Sequence, residues 1–273
     1  MNITPKQNPE EFNRFLLEKV GINKFQNKFL LDYIGKVQNR EQRLYDASLV
    51  NIKNDSWILI LHGEMLLVYG ENWQIEQLTE IKEIFKLNKY TNYLLTGNSE
   101  LIYAMVDFFK VDNFNIEKER IFYRTKNIND FELNEISIEL GQMVDATELS
   151  IMLKQYYHEE YNGQNDKEIN EMIRRIFNQV QTNSIYVLKN AKKEICSFCT
   201  IINPDIGILF TKTEHRGNGY GKLLLAFCSK ILIKENDEAF VMTDKEKIES
   251  NIVCEKVGFE PFFNYTYTQI NNG

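Results

Sequence analysis

The sequence predicts a mixed α/β fold of the α+β kind, a mostly antiparallel sheet flanked by helices, in two tandem copies of which the first is degenerate. Three observations predict it. Short apolar, β-branched runs alternate with amphipathic helical runs along most of the chain, as in a sheet covered by helices. The order hairpin, helix, strand, helix, strand occurs twice, once before residue 126 and again from Ile195 onward. The strand-to-helix junction of the second copy is a basic glycine loop, Arg216-Gly217-Asn218-Gly219-Tyr220-Gly221. The first copy has Gly70-Glu71-Asn72-Trp73 there.

In order, Pro9-Glu10-Glu11 leads into a helix over Phe12–Val20, and a second amphipathic run spans Lys24–Val37. Residues 57–61 and 65–69 read as two strands of a hairpin around His62-Gly63-Glu64. A helix over Ile75–Phe85 follows, with apolar residues at Ile75, Leu78, Ile81 and Phe85. A strand at 93–96, a helix at 100–109 and a strand at 120–125 complete the first copy. The polar stretch 126–131 lacks periodicity and marks the boundary between an N-terminal domain, 1–130, and a C-terminal domain, 131–273. The second domain reads as a strand over Ile136–Val144, helices over Leu149–Tyr161 and Ile169–Val180, and a hairpin of 185–188 with 195–202. Beyond the strand at 206–211 come the loop, a helix from Lys222, a strand at 240–244, a helix at 248–257 and an extended run over 262–270.

Composition narrows the function. A formal charge of −7 leaves no basic surplus for nucleic acid and suits a basic partner such as an amine. No apolar stretch approaches the ~20 residues that span a bilayer, and the start at Met1 lacks a signal layout, so a cytoplasmic location is expected. Cys196 and Cys199 form a C-x-x-C, but inside a strand residues three apart face opposite sides, and no histidine lies near. They are expected to be buried thiols, and no metal site is expected. The remaining cysteines are Cys228 and Cys254.

The glycine loop points to a phosphorylated ligand. A helix start offers backbone N–H groups and the positive end of the dipole, and glycines let those groups form a concave nest. Arg216 and Lys222 add charge, so a diphosphate is the expected guest. The dinucleotide fingerprint fails because Lys222 stands where its third glycine belongs. The P-loop pattern fails because Leu223 follows Lys222 where Ser or Thr is needed. What fits is R-x-x-G-x-G over Arg216, Gly219 and Gly221.

With its strand Leu209-Phe210-Thr211 and the run Lys212 to His215, this string resembles the acetyl-CoA-binding motif of the GNAT N-acyltransferase superfamily. A second segment, Ser250-Asn251-Ile252-Val253-Cys254-Glu255-Lys256-Val257-Gly258-Phe259, resembles the later motif of that family. That motif commonly ends Tyr-Glu-Lys-Leu-Gly-Phe and often carries Ser-Asn in the subgroup with an extra N-terminal domain. The resemblance covers about Ile136 to Ile270, and the first half by topology alone.

It implies an acyl-CoA-dependent N-acyltransferase that moves acetyl from acetyl-CoA to a primary amine, on a small molecule or a peptide. A non-catalytic acyl-CoA sensor or scaffold is the alternative. The cofactor-binding residues it implies are Leu209, Phe210, Thr211, Arg216, Gly217, Asn218, Gly219, Tyr220, Gly221, Lys222, Ser250 and Asn251. There are two departures: the usual tyrosine falls on Cys254 and the usual asparagine on Lys247. Cys254 is therefore one candidate acid for the leaving thiolate, with Tyr265 or Tyr267 in its place as others. Asp205 is the candidate base, with Glu160 and His158 as rivals. The first domain, with Glu71 in its loop, is not expected to bind coenzyme A, and the oligomeric state is not legible.

Overall fold

The computed structural model describes residues 2–3, 14–21, 24–52, 56–85, 87, 90–129, 136–164 and 166–271. The chain divides into two compact units. Unit 1 holds Met1–Phe122, Asp244–Glu246 and Phe263–Gly273; unit 2 holds Tyr123–Thr243 and Lys247–Phe262.

Unit 1 contains β1 (Asn2–Ile3), β2 (Leu44–Ile52), β3 (Ser56–Gly63), β4 (Leu66–Glu71), β5 (Thr91–Asn98) and most of β6 (Phe114–Thr125). Its helices are α1 (Lys28–Gln38), α2 (Ile75–Ile84) and α3 (Ser99–Phe109). The final strand of the chain, β12 (Glu260–Asn271), lies between β5 and β6 in the order β1-β2-β3-β4-β5-β12-β6. It pairs antiparallel with β5 from Tyr265↔Asn98 onward, whereas β4 and β5 pair in parallel. Helix α3 starts where the Asn98 side chain accepts from the Leu101 N–H. Its Leu101, Ile102, Met105 and Phe109 then fall on the face that packs on Ile58, Val68 and Leu95.

Unit 2 contains β7 (Ser137–Leu140), a 3-10 turn (Met143–Asp145), α4 (Ala146–Glu160), α5 (Ile169–Gln181), β8 (Ile185–Lys189), β9 (Ile195–Ile202) and β10 (Asp205–Thr211). Helix α6 (Tyr220–Asn236), β11 (Ala239–Asp244) and α7 (Ile248–Val257) follow, and the strand order is β11-β10-β9-β8-β7. Here β10 and β11 pair in parallel, whereas β9 with β10, β8 with β9 and β7 with β8 pair antiparallel. Leu149, Met152 and Leu153 of α4 with Met172 and Ile176 of α5 close a core over Val187, Phe198 and Phe210. The same order, hairpin, helix, strand, helix, strand, thus runs from β3 to β6 and again from β9 to β12.

Several elements differ from expectation. The strand expected over Ile136–Val144 stops at Leu140, because Gly141 leads into the 3-10 turn, capped where the Asp145 carboxylate accepts the Gln142 N–H at 3.0 Å. Helix α4 accordingly begins at Ala146. The helix expected from Lys24 begins at Lys28; residues 24–27 form a turn, in which Asn27 donates to the Val20 carbonyl at 3.0 Å. Leu16–Val20 form a π-helical turn, and Phe12 and Asn13 lie outside the described residues, as does the Pro9-Glu10-Glu11 lead. Strand β2 was not anticipated. Of the expected boundary segment, 126–129 is irregular chain and 130–131 lie outside the described residues.

Candidate functional site

The site is built on the end of β10. This strand pairs with β9 from Asp205↔Ile202 to Thr211↔Ser197, with an irregularity between Ile206 and Leu209. Gly207 allows that irregularity: a Cβ there would lie 2.5 Å from the Thr200 hydroxyl, which accepts the Ile208 N–H at 2.7 Å. On the other side, the parallel pairing with β11 runs through Asp205↔Phe240 and Ile206↔Val241 and, among the described residues, no further. The two strands therefore splay, and Leu209 to Thr211 keep ladder pairing with β9 alone. A strand edge of this kind accepts an extended chain as an added strand.

At the open end of β10, Thr213–His215 form a 3-10 turn and Arg216 is extended. Gly217 and Gly219 then adopt φ of +81° and +78°, in the left-handed region where a Cβ is unfavourable. Gly219 is the N-cap of α6, and the Leu223 N–H donates to its carbonyl at 3.0 Å. Asn218 braces the turn by donating to the carbonyls of His215 and Arg216. A Cβ built on Gly217 or Gly219 would meet nothing within 4 Å, so their concave side is open. Gly221 has a different task. Its missing Cβ would stand 3.1 Å from the Thr211 hydroxyl, so it lets the first turn of α6 approach the end of β10. That hydroxyl is in turn 3.0 Å from Ser197 Oγ, which donates to the Phe210 carbonyl. No acidic side chain occupies the first turn of α6.

Three cations flank the loop, and helix α4 meets each. Arg216 donates through Nε to the Thr211 carbonyl at 3.0 Å, stacks over the Phe210 ring at 5.5 Å, and pairs through Nη2 with Glu159 at 2.7 Å. Lys247 donates to the Glu159 carbonyl at 3.2 Å. Lys212 pairs with Glu148.

The second motif lies on α7. Asn251 accepts a hydrogen bond from Thr243 at the end of β11, and the N–H groups of Ser250 and Asn251 bond to the Lys247 carbonyl. Ser250 is exposed and Asn251 half-buried. Cys254, one turn further on, is 3% exposed, and burial pushes its thiol up to about 12. Tyr123 stands beside it: burial first, then the charges of Cys254 and Glu255, raise its phenol to about 12.

The other candidate acids and bases are dispersed. Tyr265 falls in unit 1, where its ring packs against Phe29 at 4.7 Å, Tyr267 at 5.1 Å and Tyr69 at 6.0 Å; burial raises its phenol strongly. Tyr267 belongs to the same aromatic group. Asp205 is buried at the turn between β9 and β10, at the opposite end of β10 from the loop. His158 is exposed and pairs with Asp166 at 2.9 Å, and Glu160 is half-buried. Sequence reasoning missed Glu148, Glu159 and Tyr123, since each meets a neighbour far away in the chain, and Thr243, whose partner Asn251 is only eight residues on but in the next element. The four cysteines are free and buried, Cys196 and Cys199 among them as expected of strand thiols. Among the described residues no group of three or more His, Cys, Asp or Glu is placed to hold a metal ion.

Residues 188–268 match the family model described as FR47-like protein. Among solved structures, a GNAT-family acetyltransferase from Colwellia psychrerythraea is 11% identical over 82% of this chain and 84% of its own, with a TM-score of 0.54. A GCN5-related N-acetyltransferase from Sphaerobacter thermophilus is 11% identical over 83% of this chain and 81% of its own, with a TM-score of 0.52. A Drosophila protein is 10% identical over 100% of this chain and 98% of its own, with a TM-score of 0.51. No curated protein matches the sequence. The chain thus has the fold of the GNAT acetyltransferases, bearing out the resemblance seen in its two motifs, and its matched segment is FR47-like.

Proposed function

We propose that the chain is an acyl-CoA-dependent N-acyltransferase that transfers acetyl from acetyl-CoA to a primary amine. One observation carries the reading. Two left-handed glycines leave an open concave surface at the start of α6, at the end of a strand that splays from its parallel neighbour. The loop Arg216 to Gly221 and the first turn of α6, with Lys222, would hold the diphosphate. The free edge of Leu209, Phe210 and Thr211 would take the pantetheine arm, with Ser250 and Asn251 on α7 beside it.

The bound thioester supplies an activated acyl group. The protein positions it, and a β10 N–H would polarise its carbonyl. The amine nitrogen forms the new C–N bond, the C–S bond breaks, coenzyme A leaves as the thiolate, and the nitrogen loses a proton. Asp205 is the proposed carboxylate for that proton, acting through water. Of the candidate acids for the thiolate, Tyr265 has its ring committed to the aromatic core of unit 1, and the thiol of Cys254, raised by burial to about 12, is a weak donor, so the thiolate leaves with little help from either. The negative formal charge suits a cationic acceptor, either a small amine or a peptide.

We place this activity in residues 131–273 and assign none to residues 1–130. In the first copy Glu71 opposes phosphate, and the start of α2 is already capped, with the Gln77 side chain accepting the Gln74 N–H at 2.7 Å. A cytoplasmic location is proposed on the free cysteines; no described helix is long and apolar enough to cross a membrane.

The test is release of free coenzyme A thiol from acetyl-CoA in the presence of a panel of primary amines. Amine-dependent release supports the enzyme. The burial of Cys254 where the family has tyrosine favours a second reading, a non-catalytic acyl-CoA sensor, which binding without release by any amine would support.

A further inference from the structure

Helix α4 is fixed in the core of unit 2 by Leu149, Met152 and Leu153, and its two ends carry the acids that face the loop cations. At its C-terminal end the Glu159 carboxylate lies 2.7 Å from Arg216 Nη2. Arg216 has two further holds, the Thr211 carbonyl and the Phe210 ring, so its guanidinium stays in place without Glu159. Glu159 likewise has a second hold, because its main-chain carbonyl is bonded by Lys247. The carboxylate can therefore swing away while both backbones stay where they are.

From this geometry we infer that Glu159 is a built-in competitor for the donor phosphates: its carboxylate occupies Arg216 in the free protein and must be displaced when the donor binds. The inference rests on the reading of the loop as a coenzyme A site. Both partners are more than two-fifths exposed, so the pair is weak and easily exchanged. A diphosphate carries more charge and more acceptor oxygens than one carboxylate and wins the guanidinium. A singly charged anion has no such margin. The device would screen Arg216 from ordinary anions while leaving it open to the donor.

The experiment is calorimetric titration of coenzyme A into the full chain, as wild type, E159Q, R216A and the double variant. E159Q removes the competing charge and keeps the shape and the Lys247 contact. At low salt it is expected to bind coenzyme A about two- to five-fold more tightly than wild type, the range an exposed pair allows. The gain should shrink toward nothing near 0.5 M salt as the charges are screened. In the R216A background E159Q should change nothing. Unchanged affinity in E159Q, or an equal gain with and without Arg216, would overturn the inference while leaving the donor site standing. Absence of coenzyme A binding in wild type and E159Q alike would overturn the donor site and the inference with it.

Discussion

Replacing Gly219 by valine separates ligand binding from folding. Gly219 sits at φ +78°, and a residue with a Cβ costs about 1–2 kcal/mol more than glycine there, before the branch at Cβ is considered. Nothing lies within 4 Å of the added Cβ, so no packing clash adds to that figure. The free protein can also relieve the strain by letting the exposed loop leave the left-handed region. The stability loss is thus capped near the conformational cost, a Tm drop of about 2–8 °C for a chain of this size. Binding has no such escape, because a relaxed loop gives up the left-handed turn on which the proposed diphosphate contacts depend. Each hydrogen bond to a charged group contributes about 1.5–3 kcal/mol, so losing one weakens coenzyme A about ten- to a hundred-fold. Thermal melts read the first quantity and calorimetry the second. A variant that melts a few degrees lower yet binds coenzyme A as tightly as wild type would refute the assignment of the loop.

Other outcomes follow from the same geometry. Arg216→Ala should weaken coenzyme A by about tenfold or more, with an effect that fades at high salt, checked by calorimetry. Titration should give one coenzyme A per chain, since Glu71 and the capped start of α2 close the first copy; two equivalents would contradict the degenerate-copy reading. Cys254→Ala should leave turnover within about threefold, because a thiol held near 12 is a weak donor, whereas an effective acid would be worth ~10²–10⁴-fold. The same burial sets a pH dependence of stability. The folded thiol titrates above its unfolded value, so its contribution is complete below about 8.5 and is lost as pH rises from there toward about 12. Denaturant melts of wild type should therefore lose stability over that alkaline window faster than those of Cys254→Ala.

The strand-to-helix alternation and both motifs were legible because local chemistry dictates them. Arg216 to Gly221 need glycine for left-handed backbone, and Gly258, with φ of +108° and the Asn127 carbonyl 2.9 Å from a Cβ there, must end α7. Strand β2 was missed because its buried residues, Ala47, Ser48, Leu49 and Val50, include a serine and show no alternation. The strand expected at 136–144 was drawn too long because Met143 and Val144 look apolar, yet Val144 is 83% exposed. The placement of β12 beside β5 was not legible either. Nothing in residues 263–271 says which copy they complete, and that decides that Tyr265 joins the aromatic core of unit 1. Glu159 was invisible for a related reason, since 57 residues separate it from Arg216.

Calorimetric titration of the purified full chain with acetyl-CoA, with desulfo-coenzyme A and NADH in parallel, tests the donor site most directly. Saturable one-to-one binding of both coenzyme A compounds and none of NADH is expected, because the proposed diphosphate loop lacks the dinucleotide fingerprint. No binding of either coenzyme A compound would contradict it, and the glycines would then form only a turn between β10 and α6.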